Sequence, residues 1–150
     1  QIRPTFIGPR GVAGSILSTQ ADLRWQPGAQ RYATGTGNQT SAWALNASLT
    51  LIEEIGVQWI CAHNHALADA LDDGLRQLLP HGRVLRSREH SNQSAIVVFS
   101  TGDARSDEAV VEKLVANNII VALRPAGIRV APHLFNTAAD VERLLRCVAG

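Results

Sequence analysis

One arginine near the C-terminus of this chain stands where binding chemistry is expected. Residues 127–137 read GIRVAPHLFNT, so Arg129 lies among mainly apolar neighbours just ahead of a capped helix. A guanidinium in such surroundings needs an anionic partner, because it stays charged and presents a rigid fork of N–H donors. That partner is either a carboxylate of the protein or an anionic ligand, and the sequence leaves both alternatives open.

A second stretch places a hydroxyl between glycines at the start of a helix. Residues 31–38 read RYATGTGN, with Gly35 and Thr36 directly ahead of a segment rich in small residues. Backbone N–H groups at a helix start, together with a nearby hydroxyl, form an anion-binding site. The alternative interpretation is an ordinary turn that only begins the helix.

The other reactive residue types do not form a catalytic or metal-binding pattern. Lys113 is the only lysine, and it is predicted to lie on the solvent side of an amphipathic helix. His63 and His65 are two positions apart, which on a helix turns them in nearly opposite directions and prevents a shared ion. Residues 35–40 lack the third glycine of a dinucleotide site, and residues 8–15 lack the lysine of a P-loop. We predict no catalytic residue and no metal site in this chain.

Composition narrows the class of protein. Of 150 residues 45% are hydrophobic, the net charge is +1 and no basic stripe stands out, so nucleic acid is not an expected partner. No apolar run approaches the ~20 residues that span a bilayer, so no membrane association is expected. Cys61 and Cys147 are predicted to be buried, reduced thiols of a cytoplasmic protein. The chain begins at Gln1 and contains no methionine, so we expect a fragment, a processed chain or an excised domain.

Two helices are predicted in the first half of the chain. Apolar residues recur with a helical period across 39–55, and Gly56 ends this helix as a C-terminal glycine does. A second helix is predicted over 57–79, where a leucine-rich stripe lies opposite an acidic face. Residues 1–36 are interrupted by glycine and proline and show no clean period.

The second half alternates strands and helices. We predict strands over 94–99, 119–123 and 128–131, a turn at 125–127, a helix that Ser106 caps and that runs to Asn117, and a last helix over 138–148. Thr137 and Asp140 have the spacing of a capping box. The fold class is α+β, with two helices and then a small β-α-β-β-α domain whose helices pack on one face of a short sheet.

These motifs resemble the class V aminotransferase family, the cysteine desulfurase-like branch of the fold-type I pyridoxal phosphate enzymes. A family pattern similar to Arg-Phe-Glu-x-Gly-Thr-Pro-Asn is matched by residues 31–38. The C-terminal pattern Ile-Arg-x-Ser-Pro-His-x-Tyr-Asn-Thr-x-x-Asp-Val-x-x-Leu is matched by residues 128–144. The resemblance places residues 1–56 at the end of the large cofactor-binding domain of an α/β enzyme. It places residues 57–150 in a linking helix and the C-terminal small domain.

The resemblance also implies roles for three residues. Arg129 matches the arginine that holds the α-carboxylate of an amino-acid substrate. Thr36, preceded by Gly35, matches the threonine that reaches the cofactor phosphate of the other subunit in a homodimer. The implied cofactor of the full-length parent is pyridoxal 5'-phosphate.

Two departures from the family pattern bear on the reaction. Gly37 replaces the proline of the first motif, and the segment 124–127 lacks the nucleophilic cysteine of the desulfurases. This short segment resembles the aminotransferase, epimerase and lyase members instead.

The family's Schiff-base lysine lies upstream of the region that this chain matches, so we expect the chain to be inactive alone. The favoured interpretation is the C-terminal part of a pyridoxal phosphate-dependent enzyme acting on an amino acid. The alternative is a stand-alone, non-catalytic α+β binding or interaction module in which Arg129 binds a small carboxylate.

Overall fold

A computed structural model describes residues 3–6, 8–14 and 24–150, so Ser15 of the glycine-rich stretch lies outside the described residues. The chain divides into two units, Gln1–Leu51 and Ile52–Gly150. The boundary falls within the first α-helix, α1, which runs over Gln39–Ile55. Each unit is described in turn.

In the first unit, the glycine-rich stretch lies against the motif that precedes α1. A Cβ atom at Gly8 would overlap the backbone of Thr34, and one at Gly11 would lie 2.8 Å from the Arg31 carbonyl oxygen. Only glycine fits at these two positions, because any side chain would displace the backbone of Arg31 or Thr34. A 3-10 helix over Gly28–Tyr32 leads into the motif. The glycines therefore help to shape the segment that carries Gly35 and Thr36.

Helix α1 begins and ends through local interactions. Asn38 acts as its N-cap, since the Asn38 Oδ1 atom accepts from the Ser41 N–H at 3.0 Å. Gly56 follows the last residue with φ of 93°, a conformation that favours glycine, which confirms the predicted end of the helix. Helix α2 then runs over Val57–Leu78, one residue short of the predicted end.

The second unit contains a four-stranded antiparallel sheet. The strands are β1 (Arg83–Leu85), β2 (Val97–Ser100), β3 (Ala122–Arg124) and β4 (Gly127–Val130), in the spatial order β1-β2-β4-β3. Strands β3 and β4 form a hairpin in which Pro125 and Ala126 are the two connecting residues. Gly127 has φ of 130°, and a Cβ atom there would overlap the Phe99 carbonyl oxygen. Glycine is therefore required at the start of β4.

Two further helices complete the unit and, with α2, cover one face of the sheet. They are α3 (Ala104–Ala116) and α4 (Ala138–Ala149). The core is formed by side chains from α2, the sheet and the two later helices: Leu67, Ala68, Leu71, Leu75, Val97, Phe99, Leu114, Ile128, Val141 and Leu144. The predicted α+β arrangement, with helices on one face of a short sheet, is confirmed.

Several element boundaries differ from the predictions. Strand β1 was not predicted. Strands β2 and β3 each begin three residues later than the predicted strands over 94–99 and 119–123. Helix α3 is capped by Asp103 and not by Ser106, because the Asp103 carboxylate accepts from both the Ser106 N–H at 3.0 Å and its hydroxyl at 2.8 Å. An ionised carboxylate is the stronger acceptor for free N–H groups at a helix start.

Neither cysteine is buried as predicted. Cys61 is exposed and Cys147 is half-buried. Cys61 follows the buried Ile60, and one residue turns the direction of a side chain by about 100° on a helix, away from the core stripe. The predicted capping box is confirmed: the Thr137 hydroxyl accepts from the Asp140 N–H, and the Asp140 carboxylate accepts from the Thr137 N–H.

Candidate functional site

Arg129 lies on the face of the sheet that the helices do not cover. Successive residues of a strand point to opposite faces, and its neighbour Ile128 is buried in the core beneath the helices. Arg129 is paired in register with Val98 of β2 on one side and Ala122 of β3 on the other. Its guanidinium therefore extends from a half-buried backbone position flanked by small and apolar side chains.

No residue in the described part of the chain forms a hydrogen bond or an ion pair with the Arg129 guanidinium. Other arginines of low exposure do have a carboxylate partner within the chain. The Arg86 side chain is 2% exposed, and it donates to Asp69 Oδ1 at 2.5 Å and to the Ser94 carbonyl at 2.9 Å. Arg76 pairs with Asp72 at 3.0 Å. Of the two alternatives for Arg129, an internal carboxylate is thus absent from the described residues, which favours a ligand anion.

Thr36 and Gly35 are exposed directly ahead of α1, in the first unit. The Asn38 cap accepts from Ser41 through its side chain and from Ala42 through its carbonyl. The N–H groups of Gln39 and Thr40 come before the first intrahelical bond, and the described residues offer them no acceptor. A hydroxyl beside free N–H groups at the positive end of a helix is suited to an anion such as a phosphate.

The remaining candidate side chains lie elsewhere. Lys113 is exposed on α3. The His63 ring stacks on Trp59 with centroids 4.9 Å apart, and its Nε2 lies 3.0 Å from the Asn136 carbonyl oxygen. The His65 Nδ1 atom lies 3.5 Å from an Arg86 nitrogen, so the two histidines have different partners. Within residues 3–6, 8–14 and 24–150, no group of three potential metal ligands occurs, and no helix is long and apolar enough to cross a membrane.

The segment after Arg129 is held by a turn and by α2. The Asn136 N–H donates to the His133 carbonyl at 2.9 Å, and the Asn136 Oδ1 atom accepts from the His133 N–H at 2.9 Å. His63 contacts the same Asn136 from α2. The sequence motif singled out residues 133–137, but nothing in the sequence connected them with a histidine 73 positions away.

Sequence reasoning also missed a second arginine on the face that carries Arg129. In the β3–β4 hairpin, Arg124 is paired with Gly127, and Ala122 is paired with Arg129. Arg124 is therefore the diagonal neighbour of Arg129 on one face of the sheet. The signal that would have revealed it is the period of two within a hairpin closed by a two-residue turn.

Comparisons with known proteins find relatives over most of this chain. The chain matches the family model described as aminotransferase class-V over residues 2–147. It is 27% identical over 121 residues to the uncharacterized aminotransferase YcbU of Bacillus subtilis, covering 81% of this chain and 31% of that protein. It is 25% identical over 156 residues to a probable cysteine desulfurase of Streptomyces coelicolor, covering 95% and 36%.

A solved structure has the same fold. The cystine C-S lyase C-DES in complex with cysteine persulfide superposes with a TM-score of 0.82 at 24% identity, covering 99% of this chain and 38% of that one. A K223A mutant of C-DES, described with glycine covalently linked to the PLP cofactor, gives 0.75 at 22% identity, with 99% and 38% covered. The chain thus spans about a third of the length of these relatives. Because the family model covers nearly every residue, the chain belongs to the aminotransferase class-V family.

Proposed function

We propose that this chain is the C-terminal part of a pyridoxal phosphate-dependent enzyme that acts on an amino acid. In this proposal residues 1–56 close the large cofactor-binding domain, and residues 57–150 form the linking helix and the small domain. The observation that carries it is the half-buried residue Arg129, whose guanidinium has no anionic partner among the described residues. Membership of the family and the description of the C-DES mutant with PLP support the cofactor.

Arg129 binds the α-carboxylate of the substrate in this proposal. Two parallel N–H···O bonds from one guanidinium hold a carboxylate in a single orientation. Its paired neighbours Val98 and Ala122 have apolar side chains, and charge-assisted bonds are stronger where water is excluded. Arg129 would thereby fix the position of the substrate Cα, where the chemistry takes place.

Thr36 and the start of α1 bind the cofactor phosphate. The Thr36 hydroxyl donates to a phosphate oxygen, and the free N–H groups of Gln39 and Thr40 add two more donors at the positive end of the helix. The space beside Gly35 is open, since a Cβ atom there would meet nothing within 4 Å. When bound, the cofactor acts as an electron sink for charge that develops at the substrate Cα.

A homodimer is part of the proposal, with Thr36 acting on the cofactor of the other subunit. Helix α1 supports it, because large apolar side chains are exposed along its length; Trp43 is 72% exposed and Leu45 59%. A helix that is apolar on most sides is stable only when another surface covers it. We also infer a cytoplasmic location from the reduced thiols.

The reaction is transfer, epimerisation or elimination in this proposal. The β3–β4 connection consists of Pro125 and Ala126 alone, so it has no cysteine to act as a sulfur acceptor. Lys113 is exposed on α3 and is not placed to hold a cofactor covalently. The chain by itself is therefore expected to be inactive.

The test is substitution of Arg129 in the full-length holoenzyme. Arg129→Ala is expected to remove about 2–5 kcal/mol of substrate binding, which raises KM for the amino acid roughly 30-fold to several thousand-fold. The dissociation constant of pyridoxal phosphate, followed by its absorbance, is expected to stay within about threefold. Arg129→Lys should restore little, since an ammonium cannot reproduce the fork. An unchanged KM in Arg129→Ala would refute the assignment.

A further inference from the structure

The uncovered face of the sheet has an unusual charge distribution. By strand alternation and register, its residues are Arg83 and Leu85 of β1, Val98 and Ser100 of β2, Gly127 and Arg129 of β4, and Ala122 and Arg124 of β3. Three of them are arginines and none is acidic. A sheet face that carries several cations and no counter-charge attracts anions.

Two of these arginines are close enough to act on one molecule. Arg124 is paired with Gly127, two residues before Arg129 on the same strand. Diagonal neighbours of this kind are about 7–8 Å apart, a distance within the reach of two long side chains. Gly127 is opposite Arg124 and Ala122 is opposite Arg129, and neither residue has a large side chain to separate the two guanidiniums. Arg83 is on the opposite edge strand, with β2 and β4 in between.

Neither guanidinium of the pair forms an ion pair within the described residues. Arg124 donates only to the carbonyl of its own neighbour, Leu123, at 2.9 Å. Asp103 and Asp107 line one cavity with Arg124, and their carboxylates accept from other groups. Asp103 accepts from the Ser106 N–H at 3.0 Å, and Asp107 accepts from the Thr101 N–H and hydroxyl, both at 2.8 Å. Two guanidiniums at this spacing, neither of them in an ion pair, match a ligand with two anionic groups.

We propose that Arg124 binds a second carboxylate, so that the preferred substrate is an amino acid whose side chain is itself anionic. The inference rests on the proposed function, because Arg129 must hold the α-carboxylate for Arg124 to meet the side chain. Arg129 provides affinity for every amino acid, and Arg124 provides preference for acidic ones. A site that pairs a charge in this way discriminates strongly against the neutral isostere, since the guanidinium then remains without its partner.

The experiment compares succinate with butyrate, which have chains of equal length and differ in one carboxylate. Dissociation constants of both are measured on the full-length holoenzyme by calorimetry. The wild type is expected to bind succinate at least tenfold more tightly. Arg124→Gln should abolish this preference and leave butyrate binding within about threefold, and Arg124→Lys should restore part of it. Thermal unfolding checks that each variant is folded. If Arg124→Gln does not fold, Arg124→Lys still tests the role of the guanidinium, because lysine keeps the charge and a long side chain.

The matched control is Arg83→Gln, which removes the same charge from the same face, on the other edge strand and in the cavity that Arg124 also lines. The Arg83→Gln variant is expected to keep the succinate preference. An equal loss of this preference in Arg83→Gln and Arg124→Gln would contradict the specific role of Arg124 and indicate a general attraction by the positive charge of the sheet face. Arg129→Gln separates the two proposals. Suppose that Arg129→Gln weakens the binding of both ligands. Only the present inference then fails if the wild type shows no preference for succinate, or if Arg124→Gln keeps that preference. If Arg129→Gln changes neither ligand, the proposed function fails as well.

Discussion

The Nε2 atom of His63 lies 3.0 Å from the carbonyl oxygen of Asn136, although the two residues are 73 positions apart. The contact joins the first half of α2 to the turn that follows β4. The stacked Trp59 ring keeps the imidazole in place. Because Asn136 also closes the turn with His133, this one residue connects the segment after Arg129 to the main helix of the unit.

We expect His63→Ala to destabilise the chain. It removes one tertiary hydrogen bond and one stacked ring pair, which together contribute about 1–3 kcal/mol. The free energy of unfolding, measured by urea denaturation, should fall by that amount. His81→Ala is the control, because His81 is exposed in the turn after α2 and forms no side-chain bond with the described residues. Equal effects from both substitutions would show that the His63 contact does not stabilise the fold.

Thr36 is expected to act on the cofactor of the neighbouring subunit. The test combines, in the full-length protein, one subunit that lacks its Schiff-base lysine with one that carries Thr36→Ala. The only competent lysine then lies in the Thr36→Ala subunit. If the threonine acts across the interface, the cofactor there meets an intact Thr36 from the partner and binds with wild-type affinity.

The opposite result has an equally clear meaning. Affinity as weak as in the Thr36→Ala homodimer would place the action of Thr36 within its own subunit, or nowhere. Gly37 departs from the family pattern next to this residue, so Gly37→Pro supplies a second comparison. It is expected to tighten cofactor binding, because proline restricts the turn that carries the hydroxyl.

Acid should weaken the start of α4. Hydrogen bonds from the Thr137 N–H and hydroxyl, with a smaller contribution from Arg143, lower the pKa of Asp140 below its ordinary value of 3.8. A carboxyl group whose pKa is lower in the folded state contributes stability above its unfolded pKa and loses it as pH falls through the folded value. The contribution should therefore be complete above about pH 5 and decline as pH falls below 3.8.

The variant Asp140→Asn should reduce this pH dependence, because an amide does not titrate. Unfolding by urea at a series of pH values between neutral and strongly acidic measures it. Glu108→Gln provides the control, since Glu108 is exposed on α3 and its carboxylate has no bond with the described residues. A slope in Asp140→Asn as steep as in the wild type would contradict the assignment.

Gly127→Ala is expected to cost more than 2 kcal/mol of stability, roughly the sum of a strained backbone and a steric overlap. The added Cβ would meet the Phe99 carbonyl oxygen at a φ of 130°. Gly37→Ala is the matched control, as its Cβ would come no closer than 3.9 Å to the Gln39 side chain. Thermal unfolding of the two variants distinguishes them, and similar midpoints would show that β4 tolerates a side chain at its start.

Interactions between residues close in the chain could be predicted from the sequence alone. The Gly56 helix end, the capping box of Thr137 and Asp140 and the buried stripe of α2 each depend on spacing within a few turns. The two motifs around Thr36 and Arg129 were also sufficient to indicate the family. The cap of α3 was misassigned within the same range, because Ser106 and Asp103 are both good caps and only the helix start distinguishes them.

Only the tertiary structure decided which residues lie together on the uncovered face of the sheet. Strand β1 has only three residues and lies at an edge of the sheet. Its sequence is too short to predict a strand, and it forms one because it pairs with β2. The isolation of Arg129 from every described carboxylate depends on which face of the sheet the helices cover. The position of Arg124 beside it depends on the hairpin register, where a shift of one residue would have moved it to the opposite face. Such relations arise from packing between distant segments, which local periodicity does not encode.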